Sequence, residues 1–218
     1  LVGSEMCIRD SLIKEFNPQI CFHLAAQSSV VVSVGDPLLD FEHNILQPVQ
    51  LIKTLLTTDC SKFVFTSSGG TIFGEPNILP TSEEDFAGEP ESPYGIGKKK
   101  LNEIITSMTI DTHMSYSILN LSNVYGPRQD PHGEAGVVSI FSNKILNNEK
   151  PIIYGDGKQT RDYIYVKDVV NALILSSKIE SNLFLNIGTG IETSVNHLLE
   201  TIKFEFASDI EPIYQESR

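Results

Sequence analysis

The sequence predicts an α/β fold: a doubly wound parallel sheet with part of a smaller domain attached. Two observations carry this. Short apolar runs alternate with longer segments of helical character, and most of the runs end in loops rich in Gly, Ser, Thr or Asn. Strands alternating with helices build βαβ units, whose parallel sheet is covered on both faces. Hydrophobic residues make up 40% of the 218, enough for a substantial core.

The segment Leu1 to Asp10 resembles translated adaptor sequence and is set aside as a non-native leader. The first strand is Gln19-Ile-Cys-Phe-His-Leu24, an apolar run behind Asn17-Pro18. Asp36 and Pro37 suit the N-cap and first position of a long helix to about Thr58, with Pro48 expected to kink it. Lys62-Phe-Val-Phe-Thr66 is the second strand, and a loop rich in Gly, Pro and Glu runs to Pro93. A helix follows over 94–110, then the strand Tyr116-Ser-Ile-Leu-Asn-Leu121 and a loop with Gly126-Pro127. Further on the pattern gives a helix at 137–147, strands at 151–154 and 162–166, a helix at 167–177, a strand at 183–187 and a helix from 194.

Composition excludes some functions. The formal net charge of -12 opposes general nucleic-acid binding, which needs a cationic face. No apolar run approaches bilayer length, so no membrane partner is expected. Cys7, Cys21 and Cys60 are scattered and odd in number, without metal-ligand spacing, so no disulfide framework and no metal site is expected. A reducing, cytoplasmic setting fits such cysteine usage.

In a parallel sheet the chemistry sits at the carboxyl ends of the strands, and three strand ends carry signals. The first is His23-Leu-Ala-Ala-Gln27, whose alanines leave room for a flat ligand; tight strand–helix packing is the plainer reading. The second is Thr66-Ser-Ser-Gly-Gly70, which brings hydroxyls and a close-approach backbone, or an ordinary polar loop. The third is Ser92-Pro-Tyr-Gly-Ile-Gly-Lys98. Tyr94 and Lys98 lie four apart at a helix start and share a face. An ammonium beside a phenol favours the phenolate and lowers its pKa from about 10, making a base usable near neutral pH. Singly, a Tyr and a Lys at this spacing belong to many solvated helices.

In this order, the three resemble the extended short-chain dehydrogenase/reductases, specifically the NAD-dependent epimerase/dehydratase branch. The resemblance runs from about residue 12 to 218. It takes in Asn44, Asn123-Val-Tyr-Gly-Pro-Arg128, Tyr154-Gly-Asp-Gly157, Arg161-Asp-Tyr-Ile-Tyr-Val166 and Asn186-Ile-Gly-Thr-Gly190. It implies a Rossmann-like NAD-binding domain over 11–125 and 161–190, and part of a substrate-binding domain over 126–160 and 191–218. It implies NAD as cofactor and a nucleotide sugar as substrate, epimerised by C4 oxidation and hydride return. By this resemblance Tyr94 is the acid/base, and Lys98 holds the nicotinamide ribose and depresses the tyrosine pKa. Ser68 bonds the reacting sugar oxygen. Leu24, Ala25, Ala26, Gln27, Asn44, Ser67 and Val124 line the cofactor, and Asn123, Val137, Tyr154 and Arg161 meet the rest of the substrate. A homodimer through the helices at 36–58 and 94–110 is also implied.

The sequence departs from the family in several places. It carries no Gly-x-x-Gly-x-x-Gly fingerprint with its acidic ribose ligand. Gly95-x-Gly97 and Gly188-x-Gly190 do not continue into one, so weak NAD binding by the 218 residues alone is expected. Gly69-Gly70 lengthens the serine loop by one residue, leaving Ser67 as an alternative to Ser68, and Asn120 stands where an arginine is usual. Dehydratases of the branch carry Asp-Glu after the loop hydroxyl; Gly69-Gly70 cannot supply that acid/base pair, which favours epimerisation. Another epimerase, a 4,6-dehydratase, a reductase, a non-catalytic nucleotide-binding protein and an inactive fragment remain the alternatives. Glu83, Glu84 and Asp85 read as a polar loop edge.

Overall fold

A computed structural model describes residues 2–76, 78–84, 88–132 and 136–217; Asp85 lies outside the described residues. The chain divides into two compact units, one running through Leu121 and resuming at Asn171–Ile187, the other comprising Ser122–Val170 and the residues from Gly188 on.

In the first unit α1 (Val2–Phe16) leads into β1 (Ile20–His23). The helix runs through the segment set aside on sequence, and Arg9 Nη1 donates to the Gln47 carbonyl at 3.3 Å. After β1 come α2 (Val30–Gly35), α3 (Pro37–Phe41), a π-helical turn (Glu42–Leu46) and α4 (Gln47–Leu55). Asp36 caps α3 as expected: its carboxylate accepts from the Leu39 N–H at 3.0 Å, with Pro37 in the first turn. The long helix expected over 36–58 runs unbroken from Pro37 to Leu55, in three abutting parts. Pro48 has no N–H to donate into an α-helical ladder, and the adjustment takes the form of a π turn directly before it. The Val30-Val-Val32 run, left unassigned on sequence, is helical because Ser29 Oγ caps Val32 N at 3.2 Å.

The unit continues with β2 (Lys62–Ser68), α5 (Pro93–Thr109) and β3 (Ser115–Leu121). The second unit then takes over with β4 (Asn123–Tyr125), α6 (Val137–Leu146), β5 (Ile152–Tyr154), β6 (Thr160–Arg161), β7 (Tyr163–Tyr165) and the start of α7 (Val166–Ser177). The rest of α7 and β8 (Leu183–Ile187) belong to the first unit. The chain closes in the second unit with β9 (Thr193–Ser194), α8 (Val195–Glu205) and β10 (Ile213–Gln215).

The sheet of the first unit runs β1-β2-β3-β8, parallel throughout. Alternation along β2 sends Phe63 and Phe65 to one face and Lys62 and Val64 to the other. Phe63 and Phe65 join Ile52 and Leu55 of α4, Leu101 and Ile105 of α5, and Ile118 of β3 in one buried core. On the other face Lys62 is 3% exposed, and its ammonium donates to the carbonyls of Tyr116, Ile179 and Ser181 at 3.1, 2.8 and 2.9 Å. It thereby anchors the chain just past α7 beneath β2 and β3.

The second unit packs α6 against α8 around Phe141, Ile145, Ile153, Leu199 and Ile202. Three short pairings, β4–β7, β5–β10 and β6–β9, complete it. Of residues 161–165, grouped on sequence with the first unit, Arg161 pairs here with Thr193 and 163–165 pair with 123–125. Among the described residues no helix is long and apolar enough to cross a membrane.

Candidate active site

The carboxyl end of β1 is held by amide and carboxylate side chains. Asn44, buried within the π turn, treats Gln27 as a neighbouring strand would. Its Oδ1 accepts from the Gln27 N–H at 3.0 Å, and its Nδ2 donates to the Gln27 carbonyl at 2.8 Å. The second proton of Nδ2 goes to Asp40 Oδ1 at 2.9 Å, and the Gln27 side chain donates to the same oxygen at 2.8 Å. Asn44 is thereby left one lone pair of its four bonding positions. Asp40, absent from every motif read in the sequence, is 1% exposed. Burial pushes its carboxyl pKa up, and the two amide donors and the charge of Lys98 pull it back.

His23, the last residue of β1, stacks on Phe63 and Phe65 with ring centroids 5.9 Å away in each case. Burial, with Lys98 and Arg9 nearby, lowers its pKa to about 4, so the ring is neutral at pH 7. Its Nε2 is buried without a hydrogen-bond partner among the described residues.

Helix α5 begins as the sequence requires. Ser92 caps it through Oγ, accepting from the Gly95 N–H at 3.1 Å, and Pro93 occupies the first turn. The orphan N–H of Tyr94 is taken by Ser33 Oγ at 3.2 Å, and that hydroxyl donates to the Val30 carbonyl at 2.7 Å. Ser33 is wholly buried and was not singled out on sequence. Gly95 and Gly97, which do not form a dinucleotide fingerprint, serve close packing. A Cβ on Gly95 would lie 2.8 Å from the Thr71 carbonyl oxygen, and one on Gly97 would lie 3.2 Å from Asp40 Oδ2.

Tyr94 and Lys98 are brought together. They are 9% and 3% exposed, and the ammonium lies 5.8 Å from the Tyr94 ring centroid and 4.7 Å from that of Phe65. One N–H of Lys98 donates to the Thr66 carbonyl at 3.1 Å, tying α5 to the end of β2. Burial lowers the lysine pKa to about 8, opposed by the carboxylate of Asp40.

Ser67 and Ser68 follow on that strand end. Ser67 is 5% exposed, and its Oγ has no hydrogen-bond partner among the described residues. By alternation it shares the face of Phe65, over which the Lys98 ammonium lies. Ser68 is less buried, and its carbonyl accepts from the N–H groups of Thr71 and Ile72 at 3.3 and 3.2 Å, turning the chain away from the sheet. The following loop is tied back to β8. Glu83, read as part of a solvated edge, instead accepts from the Asn186 N–H at 2.8 Å. The Asn186 side chain donates to the Thr81 carbonyl at 2.9 Å and accepts from Asn120 at 3.1 Å.

The second unit holds the other residues singled out. Asn123 and Val124 lie on β4, Val137 opens α6, Tyr154 ends β5, and Arg161 lies exposed on β6, its Nη1 donating to the Thr160 carbonyl at 2.7 Å. Asp162 beside it accepts from the N–H groups of Thr189 and Gly190, which accounts for the Gly188-x-Gly190 turn.

A parallel sheet whose strand ends gather serine hydroxyls beside a buried tyrosine and lysine from one helix defines a short-chain dehydrogenase/reductase type of protein. The model of the NAD dependent epimerase/dehydratase family matches residues 4–188, and the chain belongs to that family. It is 42% identical over 209 residues to the UDP-glucose 4-epimerase of Mycolicibacterium smegmatis, covering 95% of this chain and 66% of that enzyme. The structure of the Thermotoga maritima UDP-glucose 4-epimerase with UDP-glucose superposes with a TM-score of 0.95 at 40% identity, over 98% of this chain and 69% of that one. That of the Thermus thermophilus UDP-glucose 4-epimerase with NAD superposes with a TM-score of 0.86 at 36% identity, over 94% and 67%. The chain thus spans about two thirds of the length of these relatives.

The residues present fit the nicotinamide-ribose end of NAD. Lys98 has two N–H groups beyond the one given to Thr66, and a buried hydroxyl without a partner lies at the same strand end.

Proposed function

We propose that the protein catalyses NAD-dependent epimerisation at C4 of a UDP-linked hexose, with Tyr94 as acid/base. The observation that carries this reading is the pairing of Tyr94 and Lys98, both buried, with the ammonium 5.8 Å from the ring and bonded to the end of β2. NAD, when bound, accepts a hydride from the sugar and returns it.

The rest of the chemistry is proton handling by this chain. Tyr94 as phenolate takes the proton of the C4 hydroxyl as the C4–H bond breaks, and gives it back when that bond re-forms on the other face. The Lys98 ammonium stabilises the phenolate and directs its remaining N–H groups to the nicotinamide ribose. A loop hydroxyl, that of Ser67 or Ser68, donates to the reacting oxygen. The buried position of Ser67 Oγ supports Ser67 in that role. By the family resemblance Leu24 to Gln27 line the cofactor, and Asn44 holds the Gln27 backbone there; the same resemblance assigns Val124 to the cofactor. Asn123, Val137, Tyr154 and Arg161 are assigned the remainder of the nucleotide sugar by the family resemblance. Gly69 and Gly70 offer no acid or base for eliminating water, which favours epimerisation over dehydration.

The test uses protein expressed from its complete reading frame, incubated with NAD and UDP-galactose, UDP-glucuronate or dTDP-glucose. Formation of UDP-glucose from UDP-galactose without net NADH is expected. Loss of water from dTDP-glucose, or epimerisation of UDP-glucuronate alone, would replace this reading. Tyr94→Phe should abolish turnover, by 10²-fold or more, while nucleotide binding persists; a fully active variant would remove Tyr94 as the base.

A further inference from the structure

Inside the first unit lies a carboxylate that the proposed chemistry does not use. We propose that Asp40 is a positioning residue for the reaction centre, setting the charge of Lys98 and the conformation of the loop after β1 through one buried carboxylate. The proposal rests on the reading of Tyr94 and Lys98 given above.

The geometry joins the two effects. Asp40 Oδ1 receives the side chains of Gln27 and Asn44 at 2.8 and 2.9 Å, and Asn44 clamps the backbone of Gln27 through both its N–H and its carbonyl. The other oxygen, Oδ2, points at α5, 3.2 Å from where a Cβ on Gly97 would stand, and Lys98 is the next residue. A Cβ at 97 would press on this oxygen, so the glycine lets the carboxylate sit this near the helix backbone without displacement. A buried carboxylate held by neutral donors alone is costly to keep ionised. The cation that offsets it is Lys98, itself 3% exposed and equally costly alone. The two charges stabilise each other, as the opposed effects of burial and charge on both groups indicate.

The other titratable groups facing this pair are few among the described residues. Tyr94 lies a turn before Lys98 on α5, and His43 in the π turn bears on Asp40. Lys98 and Arg9 of α1 both bear on His23, at the end of β1. His23 is neutral above about pH 4, so Asp40 supplies the negative charge that keeps Lys98 protonated at neutral pH. Removing that charge leaves burial unopposed, and Lys98 loses its proton at lower pH.

The test is a titration of Lys98, which needs no turnover. The full-length protein carries lysine labelled with ¹³C at Cε, and the Lys98 signal is the one absent from Lys98→Met. In the wild type it should titrate near 8. In Asp40→Asn, which keeps the shape and removes the charge, the midpoint should fall by about one unit, and the alkaline limb of kcat should move with it. NAD should bind more weakly, since a neutral amide oxygen holds the Gln27 and Asn44 donors less strongly than the carboxylate oxygen does. If Asp40→Asn does not fold, the converse measurement applies: the Asp40 carboxyl midpoint, from ¹³C-labelled aspartate, should rise in Lys98→Met. A Lys98 midpoint unmoved in folded Asp40→Asn, or an Asp40 midpoint unmoved in Lys98→Met, overturns the proposal. A shifted midpoint in an enzyme that turns over none of the three sugars upholds the pairing and removes the proposed reaction instead.

Discussion

Acid should unfold the first unit through His23. In the unfolded chain this imidazole binds its proton at the ordinary value of 6.5; in the folded protein it does so only at about 4, chiefly because it is buried against Phe63 and Phe65. Between these values the unfolded state holds more protons, so stability falls as pH falls from 6.5 to 4 and is fully retained above 6.5. The difference between the two values is worth about 3 kcal/mol, a large share of the roughly 5–15 kcal/mol of a typical domain. Asp40 acts in the opposite direction, because its raised carboxyl pKa favours the folded state in acid. His23→Phe isolates the effect: a phenyl ring keeps the stacking and has no proton to take, and the unpartnered Nε2 gives up no bond at pH 7. The chain has no tryptophan, so urea unfolding is followed by far-ultraviolet circular dichroism at several pH values from 7 to 4. Wild type and variant should be close at pH 7, and the variant should become the more stable by about 3 kcal/mol toward pH 4. A difference that stays flat over that range would refute burial of a neutral imidazole at the end of β1.

Two further substitutions probe the scaffold. Lys62→Met removes the ammonium shared by the carbonyls of Tyr116, Ile179 and Ser181 while keeping most of the volume. It should cost about 3 kcal/mol after allowing for the burial of the charge, lowering the melting temperature by roughly 6–12 °C, and an unchanged melting curve would contradict the anchoring role. Gly95→Ala would place a Cβ 2.8 Å from the Thr71 carbonyl oxygen. It should destabilise by about 1–3 kcal/mol, despite the better helix propensity of alanine, and any rise in melting temperature would show that the loop can yield.

Much of the site was legible because its information is local. The tyrosine–lysine spacing of 94–98 spans little more than one helical turn, and the structure keeps it. The strands at 62–66, 116–121 and 183–187 announced themselves by apolar runs, and their observed limits differ by at most a few residues. What escaped is what depends on distant partners. Ser33 acts on Tyr94 across 61 residues, and Glu83 acts on Asn186 across 103. Strands of two or three residues such as β6 and β9 are too short to show a period and exist only because they meet. The three-part run after Asp36 was hidden for a related reason: a proline signals an interruption, but packing decides how the backbone absorbs it.

By itself, then, the sequence determined the alternation of strands and helices, the strand ends at which chemistry would collect, and the residue types able to perform it. These follow from periodicity and side-chain chemistry, which act over a few residues. Tertiary structure alone decided that Asp40 lies against Gly97 beside Lys98, that His23 is neutral between two phenylalanines, and that Ser67 rather than Ser68 is the more deeply buried hydroxyl. Those are matters of burial and of charge at close range, and both depend on which groups the folded sheet and helices bring together.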